Sequence, residues 1–215
     1  MHGTRPPLKP GERAPAFTLP RIDGDGAVAL ADYQSRAPLL LAMFRGISCA
    51  FCRRALVQLD LTRDRLRELG IETLAIIATP PEEARLYFRY RPTRLTLGAD
   101  PDLATHRAFG LPKVELPWQA VQATRVNPTG ELAAPLPVWE TAKALARIEG
   151  FRPTDSSRSE MERTWNQSAG EFLIDAAGVV RWTFIEYATG DLAGIGGFPR
   201  TDDILAAARL LSTAG

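Results

Sequence analysis

The chain has 215 residues, 45% of them hydrophobic and 24% charged, with a net charge of +1. That length suits one well-buried domain, the composition excludes an intrinsically disordered chain, and the near-neutral charge carries no whole-chain signal for nucleic acid. The longest apolar run, Ala37 to Phe44, is too short to cross a bilayer, and Met1 to Pro7 lacks the apolar core of a secretory signal. A cytoplasmic protein with no membrane partner is therefore expected.

Residues 1–12, rich in proline and glycine, read as a flexible arm. Ala16 to Leu19 is a strand candidate, Asp23-Gly24-Asp25-Gly26 a turn, and Val28 to Leu30 the returning strand of a hairpin. Leu39 to Phe44 is continuously apolar, as in a strand covered on both faces. Ser48 is a candidate N-cap for a helix from Ala50 to Leu69, where Phe51, Ala55, Leu56, Leu59, Leu66 and Leu69 recur at helical spacing before Gly70. Ile71 to Ala78 reads as a second buried strand. A helix capped at or near Thr79 should end before Pro92, with Leu95 to Gly98 a short strand and a short helix closing at Gly110.

Residues 111–168 are less regular and read as an insertion within one domain. Trp139 to Ile148 looks helical there, and Pro153 to Ser159 looks like a polar loop. Glu171 to Asp175 and Val179 to Tyr187 make a hairpin. A glycine-rich loop follows, holding Gly190, Gly194, Gly196 and Gly197, and then a helix from Asp202 to Leu211. Strands alternating with helices in the front half, and a hairpin behind, predict an α/β fold with a central mixed sheet flanked by helices.

Only two cysteines occur, Cys49 and Cys52, and they lie between the first buried strand and its helix. A thiolate rather than a thiol attacks peroxides and disulfides, and a helix N-terminus lowers the pKa of a thiol placed there. Arg45, Arg53 and Arg54 add positive charge nearby in sequence. Cys49 is the expected nucleophile and Cys52, one turn deeper, the resolving thiol. Other readings stay open: two small core residues, idle thiols of an interaction module, or half a zinc site. Zinc would need two further ligands, and His2 and His106 are the only imidazoles. No metal or organic cofactor is expected.

Four segments carry a family resemblance. Gly11 to Phe17 resembles the opening G-x-x-A-P-x-F of peroxiredoxins of the alkyl hydroperoxide reductase/thiol-specific antioxidant superfamily. Phe44 to Cys52 is similar to the F-x-R/G-x-x-C-P-F-C segment of its peroxiredoxin-like branch. Ala99 to Asp102 with Arg107 to Leu111, and Gly170 to Asp175 with Gly178, look like two later stretches. The likeness covers residues 11–111 and 165–211. It departs from the family upstream of Cys49, where the proline and threonine or serine of P-x-x-x-T/S-x-x-C are Ala42 and Gly46. Ser48 stands where thioredoxins carry tryptophan, and Gly170 where they carry a proline.

The resemblance implies a thioredoxin-like fold with an N-terminal hairpin extension, an insertion before the last hairpin, and a cysteine that meets a hydroperoxide or disulfide substrate. It also implies a thioredoxin- or glutathione-type reductant and allows a homodimer. Arg45 is the candidate to orient thiolate or peroxide oxygen, against a solvated loop arginine, while Arg107 is a candidate supporting arginine and His106 a packing or surface residue. Ser48, Gly170 and Glu171 are substrate-side candidates. Glu171 could serve as a proton shuttle to Cys52, against the plainer reading of an edge carboxylate. The tryptophans Trp118, Trp139, Trp165 and Trp182 are expected to pack or cover the insertion, and one lying over the cysteines would shape a substrate groove. The insertion itself is expected to be a substrate lid or a dimer contact.

Overall fold

The computed structural model describes residues 5–115, 117–186 and 192–212. His2, Tyr187 and Gly190, named above, lie outside them. Thr18–Pro20 (β1) and Ala27–Ala29 (β2) pair antiparallel as a small hairpin. Leu39–Phe44 (β3), buried along its whole length, runs parallel to Glu72–Ile77 (β4), which in turn runs parallel to Thr96–Ala99 (β5). Gly170–Ile174 (β8) pairs antiparallel with the other side of β3, and Val180–Ile185 (β9) pairs antiparallel with β8. The resulting mixed sheet has the order β5-β4-β3-β8-β9.

Between the sheet strands run Ala50–Glu68 (α1), Pro81–Tyr90 (α2) and Ala104–Ala108 (α3). The insertion supplies Trp118–Ala123 (α4), the short pair Arg125–Val126 (β6) and Leu136–Pro137 (β7), Val138–Ile148 (α5) and Asp155–Thr164 (α6). Thr201–Ser212 (α7) closes the chain.

Strand alternation divides the core. Leu40, Ala42 and Phe44 face a cluster with Cys52, Leu56, Leu59 and Leu205, on the side of α1 and α7. Leu39, Leu41 and Met43 face the opposite cluster, with Val28, Phe109 and Phe172. Covering both faces is what a continuously apolar central strand requires. Val121, Val138, Leu145 and Ala169 belong to the α1-side cluster, so the insertion packs on the same face of the sheet as the Cys-x-x-Cys. Gly70, with φ +74°, ends α1 in a conformation glycine adopts without a Cβ penalty.

Three local expectations need correction. The cap of α1 is Cys49 rather than Ser48: its sulfur accepts from the Cys52 N–H at 3.2 Å. Residues 5–12 are not a flexible arm: Leu8 is buried and its N–H donates to the Phe109 carbonyl at 3.2 Å, while the Gly11 N–H donates to the Val180 carbonyl at 2.8 Å. Residues 155–164, which overlap the expected polar loop, form α6, capped by Thr154, whose hydroxyl accepts from Ser157 N–H at 3.2 Å. This helix has few apolar residues because only one narrow face, with Glu160 and Thr164, is buried.

Candidate active site

The loop from β3 to α1 is held from all sides. Gly46 sits at φ +144°, a region closed to other residues, and a Cβ there would lie 2.3 Å from Glu160 Oε1. That absence of a side chain lets Glu160 of α6 reach the loop, where its Oε1 accepts from the Ser48 amide at 2.8 Å and the Ser48 hydroxyl at 2.5 Å. Thr79 Oγ1 accepts from the Ile47 N–H at 3.0 Å. Arg53 donates to the Ile47 carbonyl at 2.6 Å, pairs with Glu149 and lies 3.9 Å over the Phe151 ring.

Arg45 is the centre of the arrangement. It is buried, 3% exposed, which overturns the solvated-loop reading. Its Nε–H points at Cys49 Sγ at 3.5 Å. Its Nη1 donates to the Gln167 carbonyl at 2.9 Å, and both Nη atoms engage the Glu186 carboxylate, Nη2 at 3.1 Å. Glu186 also accepts from the Ala169 amide at 3.2 Å and the Gly196 amide at 2.9 Å. A buried, doubly bonded guanidinium is therefore aimed at the sulfur by a carboxylate whose oxygens are all engaged.

Both cysteines are free and buried, Cys49 at 5% exposure and Cys52 at 0%. Burial pushes the Cys49 thiol up, but hydrogen bonds from Cys52 and the charge and N–H of Arg45 outweigh it and hold Cys49 at about 6. Burial pushes Cys52 well up, helped by its hydrogen bond to Cys49 and that neighbour's negative charge. The two sulfurs thus divide into an ionised one at the helix N-terminus and a protonated one a turn deeper.

The expected contribution of Arg53 and Arg54 is corrected: Arg53 pairs with Glu149 and Arg54 with both Glu149 and Glu131, so two carboxylates offset the two charges locally. Glu171 is not an edge carboxylate. It sits on an inner strand, 2% exposed, opposite Ala42 of β3, and burial pushes it up to about 8. Among the candidates, Arg45 and Cys49 border a cavity of about 40 Å³, while Ser48, Gly170 and Glu171 do not line it. A Cβ at Gly170 would lie 2.6 Å from the end of the Leu111 side chain and 3.1 Å from the Phe184 carbonyl oxygen, so the position is tightly packed. His106 is buried beside Asp100, and Arg107 lies exposed on α3, donating to the Asp102 carbonyl. Neither belongs to the site.

The rest of the cavity wall comes chiefly from the insertion: Val121, Val138, Trp139, Ala142, Met161 and Trp165. Trp139 and Trp165 therefore lie over the cysteine, whereas Trp182 lines a separate hollow beside α7. Sequence reasoning missed Glu186, Glu160, Gln167 and Glu149. Glu186 carried a faint signal, as an acidic residue ending an apolar strand; the others lie in the stretch where periodicity was weak.

A Cys-x-x-Cys at the N-terminus of the first helix after the central strand of a mixed sheet defines a thiol-based protein of thioredoxin-like fold. Residues 10–183 match the profile of the AhpC/TSA family, and the chain belongs to that family. Peroxiredoxin Bcp of Escherichia coli K12 is 31% identical over 109 residues, 49% of this chain and 66% of that protein, so the match spans just under two thirds of the relative. Among solved structures, Peroxidoxin BcpB from Mycobacterium tuberculosis superposes with a TM-score of 0.59 at 15% identity, covering 95% of this chain and 98% of that one. The reduced 2-Cys peroxiredoxin of Plasmodium vivax gives a TM-score of 0.62 at 15% identity over 96% of this chain and 83% of that one. These two likenesses concern the fold.

Proposed function

We propose that the protein is a thiol peroxidase that reduces hydroperoxides with Cys49 as nucleophile and Cys52 as resolving thiol. The observation that carries this reading is the Arg45–Cys49 contact at 3.5 Å at the wall of a small cavity, which supplies both a thiolate and a positive charge where negative charge develops. The Cys49 thiolate attacks the terminal oxygen of ROOH. The O–O bond breaks, Cys49 becomes a sulfenic acid, and the alkoxide leaves as ROH after taking a proton. Cys52 then gives up its proton and attacks the Cys49 sulfur. The S–S bond forms and the hydroxyl departs as water, so one ROOH consumes two thiols and yields ROH and H₂O. An external dithiol of thioredoxin or glutathione type reduces the disulfide, in a reducing compartment such as the cytoplasm.

Arg45 stands in for the missing threonine as the group that steadies the peroxide oxygens. Glu171, on the α1-facing side of the sheet opposite Ala42, is the proposed proton shuttle to Cys52, its buried, protonated carboxyl giving a proton up before it takes one from the thiol. The covered position of Cys49 favours a small hydroperoxide over a folded disulfide-bearing protein. Trapping tests the assignment. Cys52→Ser protein treated with one equivalent of hydroperoxide and then dimedone should gain one adduct at Cys49. An adduct at neither residue, or the same yield in Cys49→Ser with Cys52 intact, would remove Cys49 from the role.

A further inference from the structure

Two spaces meet above Cys49. The inner one, about 40 Å³, holds Cys49 and Arg45 at its floor. The outer one, about 260 Å³, is walled by Trp118, Trp139, Met161, Glu162 and Trp165. Trp139, Met161 and Trp165 are walls of both, so the outer groove adjoins the space that holds the sulfur. Trp118 is 53% exposed and its ring centroid lies 5.9 Å from that of Trp139.

We propose that the insertion makes this groove selective for uncharged hydroperoxides bearing an aromatic or compact apolar group, with Trp118, Trp139 and Trp165 setting the preference. The inference rests on the hydroperoxide reading above. The inner space admits a few non-hydrogen atoms, since a single water occupies roughly 10–15 Å³ on this measure. It fits the O–O head and no ring. An apolar body joined to that head must lie between the indoles, which offer faces and edges to another ring.

Charge narrows the class further. The guanidinium on the floor is engaged by Glu186, Gln167 and Cys49, and the ionisable side chain of the outer groove is the exposed carboxylate of Glu162. A substrate carboxylate would meet repulsion at the rim. Hydrogen peroxide has no body to place, and a fatty-acid hydroperoxide carries the wrong charge.

The test follows oxidation of the reduced protein by stopped flow with cumene hydroperoxide, hydrogen peroxide and a fatty-acid hydroperoxide at pH 7.5. Wild type should favour cumene hydroperoxide over each of the others by tenfold or more. Trp118→Ala, at an exposed position, and Trp165→Ala should each lower that preference at least threefold. Glu162→Lys should raise the fatty-acid rate relative to cumene hydroperoxide. Equal rates with all three substrates, or a preference that neither tryptophan substitution moves, would overturn the proposal. A separate binding measurement distinguishes the two readings: tryptophan quenching by the unreactive cumyl alcohol in Cys49→Ser protein. Quenching that Trp165→Ala abolishes, with no oxidation by any hydroperoxide, would support the groove and refute the peroxidase. No quenching alongside fast oxidation would do the reverse.

Discussion

Replacing Arg45 should raise the Cys49 pKa, because it removes a charge and a hydrogen bond that, after the hydrogen bond from Cys52, hold the thiol down. Cys49 sits at about 6 rather than 9.0 although burial acts the other way, and Arg45 contributes both a charge and an N–H at 3.5 Å. At pH 7 that is about nine-tenths thiolate, against about one-hundredth for an unassisted thiol. Loss of Arg45 also leaves the Glu186 carboxylate without its cation, which adds a negative charge near the sulfur and costs roughly 3–5 kcal/mol of stability. Arg45→Ala should therefore raise the Cys49 pKa by one to two units, and the rate at pH 6.5 should fall roughly tenfold. Glu186→Gln removes the negative partner and should shift the pKa down or leave it, never up. The double variant Arg45→Met/Glu186→Gln, with neither charge, should retain the raised pKa while recovering much of the stability. Thiolate absorbance at 240 nm against pH, in a Cys52→Ser background, measures all three. A pKa within half a unit of the parent in both Arg45 variants would refute the electrostatic account.

Glu171 gives a pH signature of stability. Its folded pKa, about 8, lies above the ordinary value of 4.5, so between those values the native state holds a proton that the unfolded chain has lost. Stability should fall as pH rises from 4.5 towards 8, by up to about 1.4 kcal/mol per pH unit, and Glu171→Gln should flatten that slope in urea melts at pH 5 and 8. Gly46→Ala puts a methyl group 2.3 Å from Glu160 Oε1 at φ +144°, so the variant should lose roughly 2 kcal/mol or more in thermal unfolding and slow thiol oxidation as the loop is displaced. Glu160→Ala orphans the buried Ser48 N–H, and a loss of roughly 1–3 kcal/mol is expected, with Glu160→Gln recovering about half.

The front half of the fold was legible because its signals agree. Leu39 to Phe44 has no polar residue, α1 repeats apolar residues at helical spacing, and Gly70 ends it. Cys49 and Cys52 were legible from their place between those elements. The cover of the site was not. Helix α6 buries so little apolar surface that its pattern matched a loop, yet Glu160, Met161 and Trp165 reach the active loop or cavity from its line. Glu186 is joined to Arg45 across 141 positions, a pairing that strand order creates and local pattern cannot signal. Glu171 was placed at an edge because its charge argued for exposure, and the strand order put it inside.

The most direct test of the central claim mixes reduced wild type, Cys49→Ser and Cys52→Ser with hydroperoxide by stopped flow, then counts the remaining thiols and the alcohol formed. The account predicts that wild type loses two thiols per alcohol and ends as a Cys49–Cys52 disulfide. Cys52→Ser should be oxidised at Cys49 at the same initial rate, and Cys49→Ser should stay reduced. Oxidation of Cys49→Ser as fast as wild type, or a wild-type rate no higher than that of a free thiol, would contradict it.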